Sequence, residues 1–363
     1  MIRIMIALTS LLCCTPALSP AFAQGFAGLG TEAEGFATPQ REPDFQFPRD
    51  HLAHPEYRIE WWYLTANLTG EDGREYGVQW TLFRSALAPE EGEGFSAPQL
   101  FMGHAGLTTP ERHFYAERLA RGGVGQAGVE ADPFTAYIDE WEMRSTAGEG
   151  EADSGEGDAL DALSLYARGD VFSYRLNLEA QGPLVFHGED GYSVKSAAGQ
   201  ASYYYSQPFY TVDGVLDLPG GDMAVTGTAW LDREWSSQPL SEDQRGWDWV
   251  SLGFESGEKL MGFQLRQEDG SVYTSASWIE PDGSLTALSD GALQMTPLET
   301  AEVAGREIPT RWRIVLPDRD LDVEIDALND QSWMATRFSY WEGPVAITGS
   351  HAGRGYLEMT GYE

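Results

Sequence analysis

The sequence has few cysteines, few lysines and no long apolar run beyond its first residues. Its 363 residues include only two cysteines, Cys13 and Cys14, and both lie in the first 23 residues. If export removes those residues, the remaining chain has no thiol, and its hydrophobic core must hold the fold without disulfide bonds. No later stretch approaches the roughly 20 apolar residues that a transmembrane helix needs. We therefore expect neither a disulfide-rich scaffold nor a membrane-spanning protein.

Positive charge is also scarce. The chain has 57 acidic and 23 basic residues, a formal net charge of -34, and its only lysines are Lys195 and Lys259. Such a surface repels phosphate backbones and anionic lipid headgroups, which argues against a nucleic-acid partner. Because the acids are spread over every segment, they favour a role in solubility over recognition of a cationic ligand.

The first 23 residues have the pattern of an export signal. Arg3 supplies a charged start, residues 4–18 are largely apolar, and Ala21-Phe22-Ala23 forms a small-residue cleavage site. We therefore expect a periplasmic or secreted mature protein. Residues 24–48 contain Gly, Ala and Pro without a sustained period, and they are predicted to form an extended leader over the first domain.

Strand signals dominate the rest of the chain, and helical periodicity is almost absent. In residues 318–326, Leu321, Val323 and Ile325 fall on one face and acids on the other, which is the period of a half-buried strand. Residues 173–178 alternate similarly. We predict an all-β protein of many short antiparallel strands that close into barrels.

Two aromatic-rich segments share one sequence pattern. Residues 62–84 and residues 249–266 each read as a strand, a polar turn that contains glycine, and a second strand that ends in arginine. A single core also stops growing near ~250–300 residues. We therefore predict two related β-barrel domains, residues 49–210 and residues 211–363.

Generic metal and catalytic motifs are absent. The six histidines include no pair with the spacing of a zinc protease, and no calcium loop is present. Residues 256–259 resemble the serine–lysine acylase motif, but they form the turn of the second hairpin and lack its partner motifs. We predict neither a metal site nor a cofactor.

The distinctive phrases of this chain place carboxylates and an arginine among aromatic residues. They are residues 60–63, 201–206, 230–237, 246–249 and 340–343. Charged groups are costly to bury unless they are paired and hydrogen-bonded. These phrases therefore indicate either a satisfied interior network or a polar cluster that lines an apolar cavity, and the sequence leaves both alternatives open.

Together with further segments, these phrases resemble the AttH and carotenoid 1,2-hydratase group of lipocalin-like proteins. The matching segments are residues 54–63, 104–107, 188–195, 203–206, 232–237, 246–249, 340–343 and 355–362. The resemblance implies two calycin-type, lipocalin-like β-barrels packed side by side, and export. It further implies either an accessory of an ABC transporter that carries an apolar molecule, or a cofactor-free enzyme that hydrates an isoprenoid double bond.

Hydration of an alkene needs a neutral acid, an aromatic wall and a placed water. The candidate catalytic acids are Asp232 and Asp248. The candidate wall residues are Trp235, Trp247 and Trp249. Residues 232–235 of this chain read Asp-Arg-Glu-Trp, whereas the carotenoid hydratases have Asp-His-Asn-Trp at the matching positions. The histidine is thus replaced by arginine and the asparagine by glutamate, which counts against hydratase activity.

Other side chains are candidates for ligand binding. They are Glu60, Trp62, His104, Lys195, Tyr204, Arg233 and Glu342. Arg233 between two acids is interpreted as an ion-paired strut, because a guanidinium keeps its proton. Lys195 either anchors an anionic head group or pairs with Glu189 or Asp190, and we favour the ion pair. Tyr204 is predicted to point opposite to its two neighbouring tyrosines, and His104 to face the first barrel's interior.

Three functions are consistent with these observations. The preferred one is an exported carrier of a hydrophobic, lipid-like or isoprenoid-like small molecule that serves an ABC transporter permease. The second is a cofactor-free hydratase, cyclase or hydrolase that acts through Asp232 and Asp248. The third is a structural partner of an envelope transporter.

Overall fold

The computed structural model describes residues 34–147, 157–238 and 244–362. Those residues form strands, turns and three short 3-10 helices, with no α-helix among them. The strands build two barrel-like antiparallel sheets side by side, one nearly closed and one a half-barrel, which confirms the predicted fold class. Within the described ranges no helix is long and apolar enough to cross a membrane. The predicted signal peptide and the leader up to residue 33 lie outside the described residues.

The first sheet is built from the first thirteen strands of the chain. They are β1 (Ile59–Gly70), β2 (Glu75–Ala86), β3 (Gln99–Thr108), β4 (His113–Arg121), β5 (Ala127–Ala131), β6 (Phe134–Ile138), β7 (Trp141–Ser145), β8 (Ala162–Arg168), β9 (Ser173–Ala180), β10 (Val185–Phe186), β11 (Tyr192–Val194), β12 (Ala201–Leu218) and β13 (Gly221–Ser236).

The second sheet contains the remaining ten strands. They are β14 (Gln244–Phe254), β15 (Lys259–Gln267), β16 (Val272–Ile279), β17 (Leu285–Leu288), β18 (Gln294–Val303), β19 (Arg306–Leu316), β20 (Leu321–Ala327), β21 (Trp333–Met334), β22 (Tyr340–Gly349) and β23 (Gly353–Met359).

The two sheets share one strand order. The first runs β4-β3-β2-β1-β13-β12-β9-β8-β7-β6-β5, and the second runs β17-β16-β15-β14-β23-β22-β20-β19-β18. In each sheet a meander leads outward from the first strand, and the last strand returns beside that first strand. The two similar segments of the sequence are the hairpins β1-β2 and β14-β15, which hold equivalent positions. The chain therefore contains two related β-units.

The change from one sheet to the other falls after Ser236 and before Gln244. The division expected from the sequence, between residues 210 and 211, lies inside β12, which pairs with β13 on both sides of that point. Both strands belong to the first sheet, because β13 returns to pair with β1. The described part of the leader packs Phe45 and Phe47 against Tyr205 of β12.

Alternation along each strand divides the side chains between three cores. In β1, Trp62 and Leu64 fill the first barrel, and in β14, Leu252 fills the second. Tyr63 and Trp249, from the same two strands, meet in a third cluster between the sheets. We call this third cluster the seam. Its main members are Tyr63, Tyr204, Trp230, Trp249, Met261, Phe263, Leu265 and Tyr356.

Candidate functional site

A pocket of about 120 Å³ lies in the seam. Its aromatic walls come from both sheets, with Trp61, Tyr63 and Tyr204 on one side and Trp247, Trp249 and Phe263 on the other. Its polar side chains include Lys195, Asp232, Glu234 and Glu358. A dry apolar cavity of about 150 Å³ accommodates benzene, so this seam pocket has room for a group of roughly one ring.

Strand geometry selects which residues of β13 reach the seam pocket. Successive side chains of a strand point to opposite faces. Asp232 and Glu234 therefore line the pocket, whereas Arg233 and Trp235 contact the interior of the first barrel. Residues 232–235, which are contiguous in sequence, are therefore divided between the seam pocket and the interior of the first barrel.

The same division applies to β12 and β14. Tyr204 lies in the seam, and its neighbour Tyr205 lies in the first core, which confirms the predicted orientation of Tyr204. Trp247 and Trp249 line the pocket, and Asp248 between them does not belong to that lining. Trp249 Nε1 is 3.3 Å from Tyr204 Oη, a hydrogen bond that joins the two sheets across the seam.

Asp232 is the acid at the centre of the pocket wall and is only 2% exposed. Its Oδ1 accepts a hydrogen bond from Ser206 Oγ and another, at 2.6 Å, from Trp230 Nε1. Burial raises the pKa of Asp232 to about 7, although these donors oppose the shift. Near neutral pH a large fraction of Asp232 is therefore protonated, which is the state that a general acid requires.

A buried histidine, His187, is linked to Asp232 through the hydroxyl group of Ser206. His187 Nε2 lies 2.6 Å from Ser206 Oγ, and His187 Nδ1 lies 2.9 Å from Ser277 Oγ of the second sheet. Burial, helped by the charge of Lys195, lowers the pKa of His187 to about 3, so the ring is neutral. Since Ser206 donates to Asp232, it accepts the Nε2 proton, and Nδ1 accepts from Ser277.

Glu358 is a second pocket acid, and the sequence analysis missed it. Trp247 Nε1 donates to Glu358 Oε1 at 2.6 Å. Burial raises the pKa of Glu358 to about 7, and the neighbouring charge of Asp232 adds to the rise. The available signal was alternation in β23, where Leu357 and Met359 belong to the second core and Glu358 must therefore face the other way.

Lys195 follows β11 and places its ammonium group in the pocket. Nζ is 2.7 Å from Glu234 Oε1. It also lies 4.7 Å from the ring centre of Tyr204 and 4.5 Å from that of Phe263. Ring faces attract cations, so three partners hold this ammonium group at the pocket wall.

The expected partners of Lys195 were wrong, although the expectation of an ion pair was correct. Lys195 pairs with Glu234 and not with Glu189 or Asp190. Glu189 instead pairs with Arg41 of the leader. The cause is the pairing of β11 with β12, which carries Lys195 toward the seam and away from the turn that precedes β11.

Glu60 lies inside the first barrel, away from the seam pocket. Its Oε1 is 2.7 Å from Arg233 Nη2 and 2.6 Å from His54 Nδ1, and its Oε2 is 2.8 Å from Arg84 Nε. Burial alone would raise the pKa of Glu60, but the charges of His54, Arg233 and Arg84 outweigh burial and lower it. Arg233 is thus an ion-paired strut whose partner is Glu60, not its two acidic neighbours in sequence.

Aromatic rings enclose this network. The guanidinium carbon of Arg233 lies 4.0 Å from the ring centre of Trp62. The imidazole of His54 stacks on Trp235, with ring centres 4.0 Å apart. Trp62 and Trp235 therefore pack around a charged cluster in the first barrel, and neither lines the seam pocket.

Asp248 occupies the corresponding place in the second barrel. Its carboxylate lies 2.7 Å from Gln264 Nε2, 2.9 Å from Tyr362 Oη and 3.2 Å from Arg266 Nε. Burial raises the pKa of Asp248, and the charge of Arg266 opposes the rise. The two candidate catalytic acids are therefore on different faces, and only Asp232 meets the pocket.

His104 and Glu342 lie between the sheets but outside the pocket lining. His104 Nδ1 is 3.0 Å from Tyr340 Oη, so this histidine faces the second sheet and not the first barrel's interior as predicted. Ala105, next to it, occupies the first core. Tyr63 Oη donates to Glu342 Oε1 at 2.5 Å, and burial raises the pKa of Glu342 well above its ordinary value.

No cluster of three or more histidine, cysteine or acidic side chains among residues 34–147, 157–238 and 244–362 has the arrangement of a metal site. The ionisable side chains that line the seam pocket beside the aromatic rings include one ammonium and three carboxyl groups. That set can donate and accept protons at an apolar ligand, and it can stabilise a developing positive charge.

Two lipocalin-like sheets with an acid-bearing pocket between them define the class of this protein. The chain belongs to the AttH-like family, whose model matches residues 38–362. An AttH protein from Nitrosomonas europaea, solved by crystallography, has 32% sequence identity and a TM-score of 0.79, with 90% of this chain and 99% of that chain covered.

Kievitone hydratase from Nectria haematococca is also similar in structure. Its crystal structure gives a TM-score of 0.65 at 15% identity, with 90% of this chain and 95% of that chain covered. At that identity the likeness shows a shared fold. No curated protein matches the sequence.

Proposed function

We propose that this protein is a cofactor-independent enzyme that adds water to, or removes it from, an apolar unsaturated molecule held in the seam pocket, with Asp232 as the general acid and base. One observation carries the proposal. A carboxyl group held by neutral hydrogen-bond donors, with its pKa raised to about 7, lies in a pocket with aromatic walls. Such a perturbed group in a cleft is typical of active sites.

The proposed reaction starts with protonation of the double bond. Asp232 gives its proton to one alkene carbon, the π electrons form the new C–H bond, and the other carbon becomes cationic. The faces of Tyr204, Trp247 and Trp249 stabilise that positive charge. Water then adds to the cation and returns a proton to the Asp232 carboxylate, so alkene and water become an alcohol and the acid is restored.

The hydrogen bonds of Asp232 suit both halves of this cycle. Ser206 and Trp230 donate to Oδ1, and Tyr204 is a further hydrogen-bond partner of the Asp232 carboxyl group. After proton transfer, the same two donors stabilise the carboxylate. Glu358, with its pKa also near 7, is a second group that can accept the proton of the attacking water.

A carrier that binds the same molecule without turnover is the second candidate, and the aromatic lining of the pocket supports it. This carrier, as an accessory to an ABC transporter permease, is the function that the sequence alone favours. A carrier has no need of a buried carboxyl group that titrates near neutral pH, and the pKa of Asp232 is raised to about 7. We therefore prefer the enzyme.

Turnover in isotopically labelled water tests the proposal. The protein is incubated with short isoprenoid alkenes in ¹⁸O water, and mass spectrometry follows labelled alcohol. We expect Asp232→Asn to reduce turnover by ~10²–10⁴-fold, and the matched variant Asp248→Asn to retain it. Full turnover by folded Asp232→Asn would contradict the assignment. Tight binding without turnover by the wild type, or a permease recovered with it on gentle purification, would favour the carrier.

We also propose that the protein acts after export, in the periplasm or outside the cell. The support is the signal-peptide pattern of residues 1–23. Expression of the complete chain in a bacterial host, followed by N-terminal sequencing of the periplasmic fraction, tests this. We expect a mature N-terminus at Gln24, and intact chain confined to the cytoplasm would contradict it.

A further inference from the structure

We infer that the seam pocket recognises its ligand through one neutral hydroxyl group, held between Lys195 and Glu234 at a fixed distance from Asp232. This inference rests on the proposed function and deepens it by naming the ligand class. The ligand would be an unsaturated apolar molecule with an alcohol or phenol group.

Lys195 offers hydrogen-bond donors to the pocket. An ammonium group has three N–H donors, and the contact at 2.7 Å with Glu234 Oε1 engages one of them. The rings of Tyr204 and Phe263 lie 4.7 and 4.5 Å from Nζ and fix its position without accepting strong hydrogen bonds. An oxygen atom of a ligand in the pocket can therefore accept from Lys195.

Glu234 offers the complementary acceptor. Its described contacts, with Lys195 Nζ and with Ser202 Oγ, both fall on Oε1. Glu234 also lines the pocket, so its Oε2 is the oxygen that a ligand proton would meet. A hydroxyl group can accept from Lys195 and donate to Glu234 at the same time, which a carbonyl or an ether cannot do.

Charge favours a neutral oxygen over a carboxylate. Lys195 and Glu234 together have no net charge, and the remaining pocket acids are Asp232 and Glu358. An anionic head group would meet Glu234 and the ionised fractions of both acids. An uncharged hydroxyl group avoids that repulsion and keeps both hydrogen bonds.

The strand sets the distance between the recognition group and the reacting group. Asp232 and Glu234 lie two positions apart on one face of β13. At about 3.4 Å per residue, their backbone positions are about 7 Å apart. The double bond and the hydroxyl group of the ligand should therefore lie on separate parts of the molecule and not on adjacent atoms.

Three probes with related carbon skeletons test the inference. Geraniol carries a hydroxyl, geranic acid a carboxylate and myrcene no oxygen, and quenching of tryptophan fluorescence measures each affinity. At about pH 8, where the acid probe is ionised, we expect geraniol to bind about tenfold more tightly than either of the others. Equal affinities, or a preference for geranic acid, would overturn the inference.

Substitution of the two lysines gives matched variants, because the other lysine, Lys259, contacts Phe209 and does not line the pocket. We expect Lys195→Met to remove the preference for geraniol over myrcene. Lys259→Met should keep the preference of the wild type. A geraniol preference that survives in Lys195→Met would overturn the inference.

Glu234→Gln provides a second test, in which an affinity is expected to rise and not to fall. This test does not depend on whether Lys195→Met folds. Removal of this negative charge should raise geranic acid affinity about tenfold. A merely structural role would lower the binding of all three probes, and that result would overturn the inference.

The two proposals fail in different ways. If myrcene is hydrated through Asp232 while no probe shows a hydroxyl preference, the proposed function stands and the inference falls. If geraniol binds with the expected preference and no probe reacts, the recognition site stands and the enzyme falls.

Discussion

Buried carboxyl groups on the two faces of the first sheet have pKa values that are shifted in opposite directions. Glu60, inside the first barrel, is 0% exposed, and Asp232, in the seam, is 2% exposed. The pKa of Glu60 is lowered by three cations that outweigh its burial. The pKa of Asp232 is raised to about 7, because burial outweighs the neutral donors around it. Similar burial thus accompanies pKa shifts of opposite direction, and the partners on each face decide the direction.

This difference separates the groups that hold the fold from those that can do chemistry. An ionised acid bound to two arginines and a histidine cannot readily exchange protons, but it forms an ion pair with each of the three. An acid that titrates near neutral pH costs stability and can transfer a proton. Variants at the two kinds of acid should therefore behave differently in unfolding experiments.

The largest effect is expected for Glu60→Gln. The change leaves Arg84, Arg233 and His54 buried without their shared anion, and it should lower the free energy of unfolding by about 5 kcal/mol, the upper end of the range for broken buried pairs. Urea unfolding measures it. Glu111→Gln, at the exposed pair with Arg74, is the control and should have almost no effect. If Glu60→Gln lowered the free energy of unfolding no more than Glu111→Gln does, the proposed difference between the barrel acid and the seam acid would be wrong.

Asp232→Asn should stabilise the protein, and only at higher pH. The pKa of Asp232 is about 7 in the folded protein against 3.8 as the ordinary value. Below that ordinary value both states are protonated and the wild type has no penalty. The penalty grows as pH rises toward 7 and is complete above it, where Asn should gain on the order of 4 kcal/mol. Urea unfolding from about pH 4 to about pH 8 measures the difference, and a gap independent of pH would contradict this account.

The smallest effect is expected for Asp248→Asn. Arg266 is 22% exposed and also donates to the Thr360 carbonyl, so it keeps other partners. The hydrogen bonds that the amide loses oppose the relief of the raised Asp248 pKa, so we expect a change of no more than about 1 kcal/mol in the free energy of unfolding and unchanged binding of geraniol. Impaired binding with an intact fold would show that Asp248 acts on the seam pocket.

The repeated hairpins and the strand containing Leu321, Val323 and Ile325 were predictable because alternation is a local property of the sequence. That strand is β20, and its three apolar residues lie in the second core. Tyr204 was also predictable, since neighbours in a strand point to opposite faces. The sequence therefore contained the two-barrel fold and the opposed orientations within each strand.

The partners across the fold were not predictable. Arg233 was expected to bind the acids beside it, but those acids point to the opposite face, and its partner comes from β1. Asp248 and Glu358 were harder still. Where one face of a sheet fills a barrel and the other fills a seam, both faces are buried, and alternation no longer shows which face is the interior.

The division of each strand has a consequence for how this chain can be varied. Trp235 and Arg233 maintain a packed interior, while Asp232 and Glu234 at the intervening positions belong to a separate compartment. Substitutions at the intervening positions can therefore reshape the seam pocket without opening voids in either barrel. Pocket and barrels can be varied independently in this chain, provided that the changes keep to every second residue.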